Sequence, residues 1–409
     1  MSQPKILIIS HGHPDFNKGG AEVAAYNMFK ELLGRGEDAY FLARTGLAPH
    51  GGAAFSVRNN EREILFHTTM DDPFLFSNIG SRQTWQEYVD LIKLIQPDVI
   101  HFHHYFLLGI ELLELTRKTL PDSKIVLTMH EFLAICHRNG LMLKTNGNLC
   151  HKATPRDCNQ CFPDIQPGDF FLRERYIKRL FSNVDQFISP SEFLKQRYVD
   201  WGLKDNLIEV IENGQNSSQS HKEHRESVES DVVRLAFFGQ VNPFKGLDVL
   251  LNALTQLPKK VAKSVTLDIH GANLEHQSDT FKKRFSKLMD NCPVNVSFQG
   301  SYEPFEMASL LDITDWVIIP SIWWENSPMV IQEAFTNGVP LIVSDIGGMK
   351  EKVQHGVNGL HFRAGKSSSL AMVITDVVND RRINKEMRSN ITPPLSIEDC
   401  VSEHLNLYK

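Results

Sequence analysis

The chain has 409 residues, of which 42% are apolar and 22% charged, with a formal net charge of −6. That length allows two or three domains with cores of their own, and the composition is that of an ordinary soluble globular protein. The mild charge is spread over both halves, which excludes a basic surface for a nucleic-acid partner, and no apolar run approaches the ~18 residues of a membrane-spanning helix.

The first apolar run, Lys5-Ile6-Leu7-Ile8-Ile9-Ser10, is too short for a secretory signal and reads as a buried strand. A glycine loop follows, then a predicted helix over 21–33 that stops at Gly34 and Gly36. Further strands are predicted at 39–43, 99–102, 125–128, 186–189 and 207–211, with helices over 84–95 and 111–120. Continuous apolar strands alternating with helices predict a parallel, doubly wound sheet. Residues 213–231 break the alternation with a polar stretch that reads as a linker or loop.

The alternation then restarts. Strands are expected at 234–238, 265–269, 295–298, 316–319 and 341–343, with helices over 247–257, 280–289 and 304–311 and another after Pro328. The last stretch, 396–408, has the pattern of an amphipathic helix packed on the body. The expected organisation is a Rossmann-like domain over 1–212, the linker, a second such domain over 232–392, and a C-terminal helix within 393–409. Ligands collect at the carboxyl ends of parallel strands, so the cleft between two such domains is the expected site.

The chemistry concentrates in Ser321-Ile322-Trp323-Trp324-Glu325-Asn326-Ser327-Pro328-Met329-Val330-Ile331-Gln332-Glu333. Ser327 suits a helix N-cap and Pro328 the first helical position, where its missing N–H costs nothing. Met329 and Val330 would then offer free N–H groups at the positive end of the helix dipole, where a diphosphate binds readily. Glu325 precedes that end and Glu333 lies more than a turn inside it. Two carboxylates flanking an anion site suit a nucleotide sugar, with hydroxyls at both ends. Upstream, Phe238-Gly239-Gln240-Val241-Asn242-Pro243-Phe244-Lys245-Gly246 ends a strand in a glycine loop, where Gly239 permits close approach and Lys245 supplies a charge.

These segments together resemble the retaining glycosyltransferase family four, whose members have the two-domain GT-B fold. The resemblance spans nearly the whole chain. It rests on Gly19-Gly20-Ala21-Glu22, Asp98-Val99-Ile100-His101-Phe102-His103-His104, Thr128-Met129-His130-Glu131, Ser189-Pro190-Ser191, Asn213-Gly214, Lys245-Gly246, Glu325 with Glu333, and Gly347-Gly348 with Glu351. The resemblance implies that Glu325 contacts donor-sugar hydroxyls and helps stabilise the oxocarbenium charge, and that Glu333 binds the ribose. It gives Lys245 and the N–H groups around Met329 and Val330 the diphosphate, and Gly19-Gly20 an approach from the first domain. His130 would face the reacting sugar, and no divalent metal is normally required. The family usually carries an arginine after the loop glycine, where this chain has Gln240; a neutral amide cannot replace a charge-assisted bidentate contact. Selectivity for base and sugar, among uridine, guanosine and adenosine diphosphate sugars, falls to the loops around Gly271, Gly300 and Trp323.

His101, His103 and His104 could suggest a metal, but also a strand end with His103 and His104 reaching acceptor hydroxyls. Cys136, Cys150, Cys158 and Cys161 include one Cys-x2-Cys pair; they read either as a structural zinc set or as free thiols, a disulfide or redox role being a further alternative. The segment 170–181 is a basic amphipathic helix, suited either to touching an anionic membrane or to ordinary packing. The expected activity is hexosyl transfer from a nucleotide sugar to a glycan or lipid-linked acceptor in surface polysaccharide biosynthesis, at the cytoplasmic side of a membrane. The alternatives are a catalytically weak sugar-nucleotide or glycan-binding scaffold, which Gln240 motivates, and an epimerase of the same fold.

Overall fold

The computed structural model describes residues 3–17, 19–46, 53–58, 61–78, 82–216 and 231–409, so most of the predicted linker, 217–230, lies outside the described residues. The chain divides into two units, Met1–Asn216 with Leu395–Lys409, and Ser217–Pro394.

The first unit is built on β1 (Ile6–Ser10), β2 (Ala39–Thr45), β3 (Phe55–Arg58), β4 (Glu63–His67), β5 (Val99–Phe102), β6 (Lys124–Thr128), β7 (Gln186–Ser189) and β8 (Ile208–Val210). They form one sheet in the order β3-β4-β2-β1-β5-β6-β7-β8. Every pairing is parallel except β3 with β4, which closes one edge as an antiparallel hairpin. All of β1 and β5 is buried, because helices cover both faces of the sheet. The hairpin strands were not among the expected elements. Phe55–Arg58 has no buried residue to give it a two-residue period, and Glu63–His67 opens on a buried carboxylate.

The second unit comprises β9 (Val233–Phe238), β10 (Val265–His270), β11 (Asn295–Gly300), β12 (Trp316–Ile319), β13 (Leu341–Ser344) and β14 (Gly359–Phe362). They pair in the order β11-β10-β9-β12-β13-β14, all in parallel. One face of this sheet packs on Leu250, Leu254 and Ile374, the other on Ile331, Phe335 and Met349.

The C-terminal helix Ile397–Tyr408 belongs to the first unit. Ser396 caps it, its hydroxyl oxygen accepting from the Asp399 N–H at 3.0 Å, and Ile397, Val401 and Tyr408 join the core around Met28 and Phe29. The two strands of chain that leave this unit are bonded to each other, Gln215 N–H donating to Leu395 O at 2.9 Å and Ile397 N–H to Gln215 O at 2.8 Å. Gly214 permits this approach, since a Cβ there would lie 2.6 Å from Ile397 Cα.

Candidate functional site

In the second unit the sheet order reverses at β9, which is flanked by β10 on one side and β12 on the other. The carboxyl ends at such a switch point form a ligand crevice. The loop after β9 carries Lys245, and the loop after β12 carries Glu325. The buried Glu325 carboxylate accepts three hydrogen bonds on Oε1: from Lys245 Nζ at 2.7 Å, Ser321 Oγ at 2.7 Å and Trp323 Nε1 at 3.0 Å. The Lys245 ammonium also sits 5.8 Å from the Trp323 ring centre. Trp323 thus holds a carboxylate, while Trp324 is buried.

Three close backbone approaches hold these loops. Gly246 adopts φ +69, and a Cβ on it would lie 1.9 Å from Pro320 O. Gly348 donates its N–H to Glu325 O at 2.8 Å, and its Cβ would fall 1.3 Å from Asn326 O. Gly271 packs on Gly239, where a Cβ would meet the Gly239 carbonyl oxygen at 2.5 Å. Gly239 N–H donates to His270 O and Gly271 N–H to Gly300 O, so Gly239, Gly271 and Gly300 line up at the ends of β9, β10 and β11. Gln240, next to Gly239, is exposed.

The helix that follows Glu325 spans Met329–Thr336, with Pro328 rather than Ser327 at the cap position. Pro328 has ψ 121, outside the helical range, so the helix begins one residue later than expected and Met329 takes the first position. The N–H groups of Met329 and Val330 head this helix, and Glu333 stands one turn further on, partly buried. Burial pushes the Glu333 carboxyl up to about 7. Tyr302, its hydroxyl pushed up by burial and by the Glu333 charge, belongs to an aromatic group with Phe238 and His270, whose rings are stacked at 4.8 Å. Sequence reasoning missed Ser321, the indole N–H of Trp323 and Tyr302, which carry no motif of their own.

In the first unit the order reverses at β1, between β2 and β5. Here the carboxyl ends bring together four histidines and two glutamates. His11 Nε2 donates to Glu22 Oε1 at 3.2 Å, and the His11 ring lies 4.4 Å from that of His104. His104 Nδ1 accepts from the backbone N–H of Tyr105 and of Phe106, which leaves the proton on Nε2 to be donated to Glu131 Oε1 at 3.1 Å. His103 Nδ1 and His130 Nε2 share a hydrogen bond of 3.2 Å. Burial lowers His103 and His104 well below the ordinary range and His130 to about 3, so all three are neutral. It pushes Glu131 up to about 8. Burial would also raise Glu22, but the hydrogen bond and charge of His11 hold it lower than usual. The Glu22 side chain folds over Gly19, which precedes the helix Gly20–Gly34; a Cβ on Gly19 would meet Glu22 Oε2 at 2.2 Å.

Two expectations change. His101 is fully buried inside β5, between Tyr408 OH at 2.6 Å and Thr128 Oγ1 at 2.7 Å, and so fastens the C-terminal helix instead of lining an open site. The four cysteines Cys136, Cys150, Cys158 and Cys161 form no disulfide, and among the described residues no group of three or more His, Cys, Asp or Glu is arranged to hold a metal ion. The structure therefore gives no support to the zinc expectation. Among the described residues no helix is long and apolar enough to cross a membrane.

Two doubly wound units with glycine loops at their switch points are the architecture of a GT-B glycosyltransferase. The chain belongs to the family-four type of these enzymes: Glycosyltransferase Family 4 matches residues 18–219 and Glycosyl transferases group 1 matches residues 219–392. It is similar to the lipopolysaccharide 1,2-N-acetylglucosaminetransferase of Salmonella typhimurium, 26% identical over 215 residues, which are 50% of this chain and 55% of that protein. The chain spans little more than half the length of the curated relatives it matches. Its fold is shared with Anabaena HepE in complex with UDP-glucose, at 17% identity and TM-score 0.66, covering 98% of this chain and 99% of that one. It is also shared with a sucrose-phosphate synthase of Thermosynechococcus elongatus, at 16% identity and TM-score 0.71, covering 99% and 98%.

Proposed function

We propose that the protein is a retaining hexosyltransferase, moving a hexose from a UDP-, GDP- or ADP-sugar to a glycan or lipid-linked acceptor in surface polysaccharide biosynthesis. The observation that carries this reading is the Glu325 carboxylate, held by Lys245, Ser321 and Trp323 beside the start of the helix Met329–Thr336. In this reading Glu325 meets the donor-sugar hydroxyls and the developing positive charge at the anomeric carbon. Lys245, the N–H groups of Met329 and Val330, and Ser327 take the diphosphate, Glu333 takes the ribose, and Gly239, Gly271 and Gly300 admit the nucleoside. His130 with Gly19 and Gly20 would serve the reacting sugar and phosphate, and His103 and His104 the acceptor side.

The anomeric carbon–phosphate oxygen bond breaks as the acceptor oxygen bonds to the same face. The acceptor proton passes to the departing phosphate oxygen, and no metal is needed for that step. Fixed donors and cations aimed at the leaving group would supply most of the acceleration. The likeness to the Salmonella lipopolysaccharide transferase supports the pathway, and HepE, which binds UDP-glucose, supports a nucleotide-sugar donor. The helix Pro167–Phe181 exposes Phe171 and Leu172 beside Arg175, a face suited to the inner leaflet where a lipid-linked acceptor resides. Failure of the protein to float with phosphatidylglycerol vesicles would remove that membrane contact.

A thermal-shift screen across UDP-, GDP- and ADP-sugars tests the donor, because binding stabilises the folded state by mass action. The anomeric configuration of the product, read by proton NMR, tests retention. Gln240, in place of an arginine on the diphosphate, favours a second reading, a binder of sugar nucleotides with weak turnover. A clear thermal shift without release of nucleoside diphosphate would establish it.

A further inference from the structure

On the first unit a pocket of about 310 Å³ opens between the segment after β6 and the helices Pro167–Phe181 and Glu192–Trp201. That is the lower end of the size range of small-molecule sites. Its walls include the buried side chains Ile135, Met142 and Trp201, and the polar residues Glu174, Arg197 and Asp200. None of these six belongs to the histidine cluster at the ends of β1, β5 and β6 or to the donor loops of the second unit.

The walls are built firmly. The Lys178 ammonium lies 4.5 Å from the Trp201 ring centre, and Tyr198 and Phe181 meet the indole edge-on at 6.0 and 6.2 Å. Arg197 donates to His151 O at 2.8 Å, tying the segment after β6 to the helix Glu192–Trp201. Glu174 gives one oxygen to Lys178 at 2.6 Å and Asp200 one to Gln196 at 2.8 Å, so each carboxylate keeps a second acceptor atom. The charges of the lining balance, Arg197 and Lys152 against Glu174 and Asp200, with Glu174 already paired with Lys178. Such a lining suits neither a phosphate nor a strong cation.

An aromatic and aliphatic surface with acceptors and a donor nearby matches a ring that has an apolar C–H face and a periphery of hydroxyls. We propose that this pocket binds a neutral sugar residue of a glycan, at a position separate from the transfer centre. Its hydroxyls would donate to Glu174 and Asp200 and accept from Arg197, with its C–H face on Trp201.

The test is a fluorescence titration of the full chain with maltose, cellobiose, lactose and N,N′-diacetylchitobiose. At least one disaccharide should give a saturable change in tryptophan emission that is lost in Trp201→Phe. Its midpoint should rise about tenfold in Glu174→Gln/Asp200→Asn, which keeps the side-chain shapes while weakening two acceptors, and should stay the same in Glu325→Gln. No saturable change with any of the four overturns the proposal, as does an unchanged midpoint in the double variant or loss of the signal in Glu325→Gln. Thermal shifts with nucleotide sugars on the same samples report the donor site separately, so either reading can fail without the other.

Discussion

Lys245 and Glu325 lie 80 positions apart in the chain, and their side chains meet at 2.7 Å where the second sheet reverses its order. The cation expected on the diphosphate is therefore held, before any donor arrives, by the carboxylate expected on the sugar. The pair keeps a buried carboxylate compensated and fixes both loops, and a diphosphate would draw the ammonium toward itself.

Replacing Lys245 by Met leaves Glu325 with only the Ser321 hydroxyl and the Trp323 N–H. Stripping one partner from an enclosed ion pair costs roughly 3–5 kcal/mol. The Lys245 side chain is 25% exposed, so water offsets part of that loss. A destabilisation of about 1–2 kcal/mol is expected, read as a lower urea midpoint. An unchanged midpoint would show that the pair contributes nothing to the fold.

Glu333 gives nucleotide binding a pH dependence. Its carboxyl, raised to about 7, is largely protonated at pH 6 and largely charged at pH 8. Ribose hydroxyls donate more strongly to the charged form, so affinity for the nucleoside diphosphate should rise with pH through about 7, with uptake of ligand releasing up to one proton. Calorimetric titration in two buffers of different ionisation enthalpy measures that release, and Glu333→Gln should flatten the profile.

Gly348 admits no side chain. A Cβ 1.3 Å from Asn326 O would push the 325–326 backbone away and break the Gly348 N–H to Glu325 O bond. Gly348→Ala is expected to cost about 2 kcal/mol or more and to weaken donor binding with it. A thermal midpoint and donor affinity both equal to those of the parent would contradict the packing described.

Acid should loosen the first unit. His101, His103 and His404 are buried and neutral in the fold, with His404 lowered to about 4 and the other two well below their ordinary value. Since their folded pKa values lie below the unfolded value near 6.5, their full contribution to stability is present above pH 6.5. It is lost as the pH falls from there toward 4, because only the unfolded chain takes up those protons. The helix Ile397–Tyr408, which His404 and Tyr408 fasten, should show it first, as faster amide exchange at pH 5 than at pH 7.5 after correction for intrinsic rates.

The alternation of strands and helices was legible because strands covered on both faces are continuously apolar, as in Ile6–Ser10 and Val99–Phe102. The edge strands Phe55–Arg58 and Gly359–Phe362 were not, since they bury too little to impose a pattern, and Glu63–His67 was not because its buried run opens on a carboxylate. Motif spacing located Glu325, Lys245 and the helix start, though the cap moved from Ser327 to Pro328. Spacing could not show that Ser321 and Trp323 complete the Glu325 site, nor that His11 and Glu22 sit against His104 and Glu131. Ser321 and Trp323 return to Glu325 within a single loop whose backbone path spacing does not fix, and the histidine contacts depend on which strands are neighbours, an order that a linear pattern does not contain. Histidines in series suggested one role, and the fold divides them, with His101 tied to the C-terminal helix and His104 to Glu131.

The central claim is that the Glu325 loop handles the sugar of a nucleotide-sugar donor. Release of nucleoside diphosphate should be followed for the parent protein and Glu325→Gln across UDP-, GDP- and ADP-sugars, with water or added glycan as acceptor. At least one donor should be turned over by the parent, and Glu325→Gln should lose about 10²–10³-fold of that rate while keeping its fold. Turnover of none of them, or equal rates in parent and variant, would contradict the account.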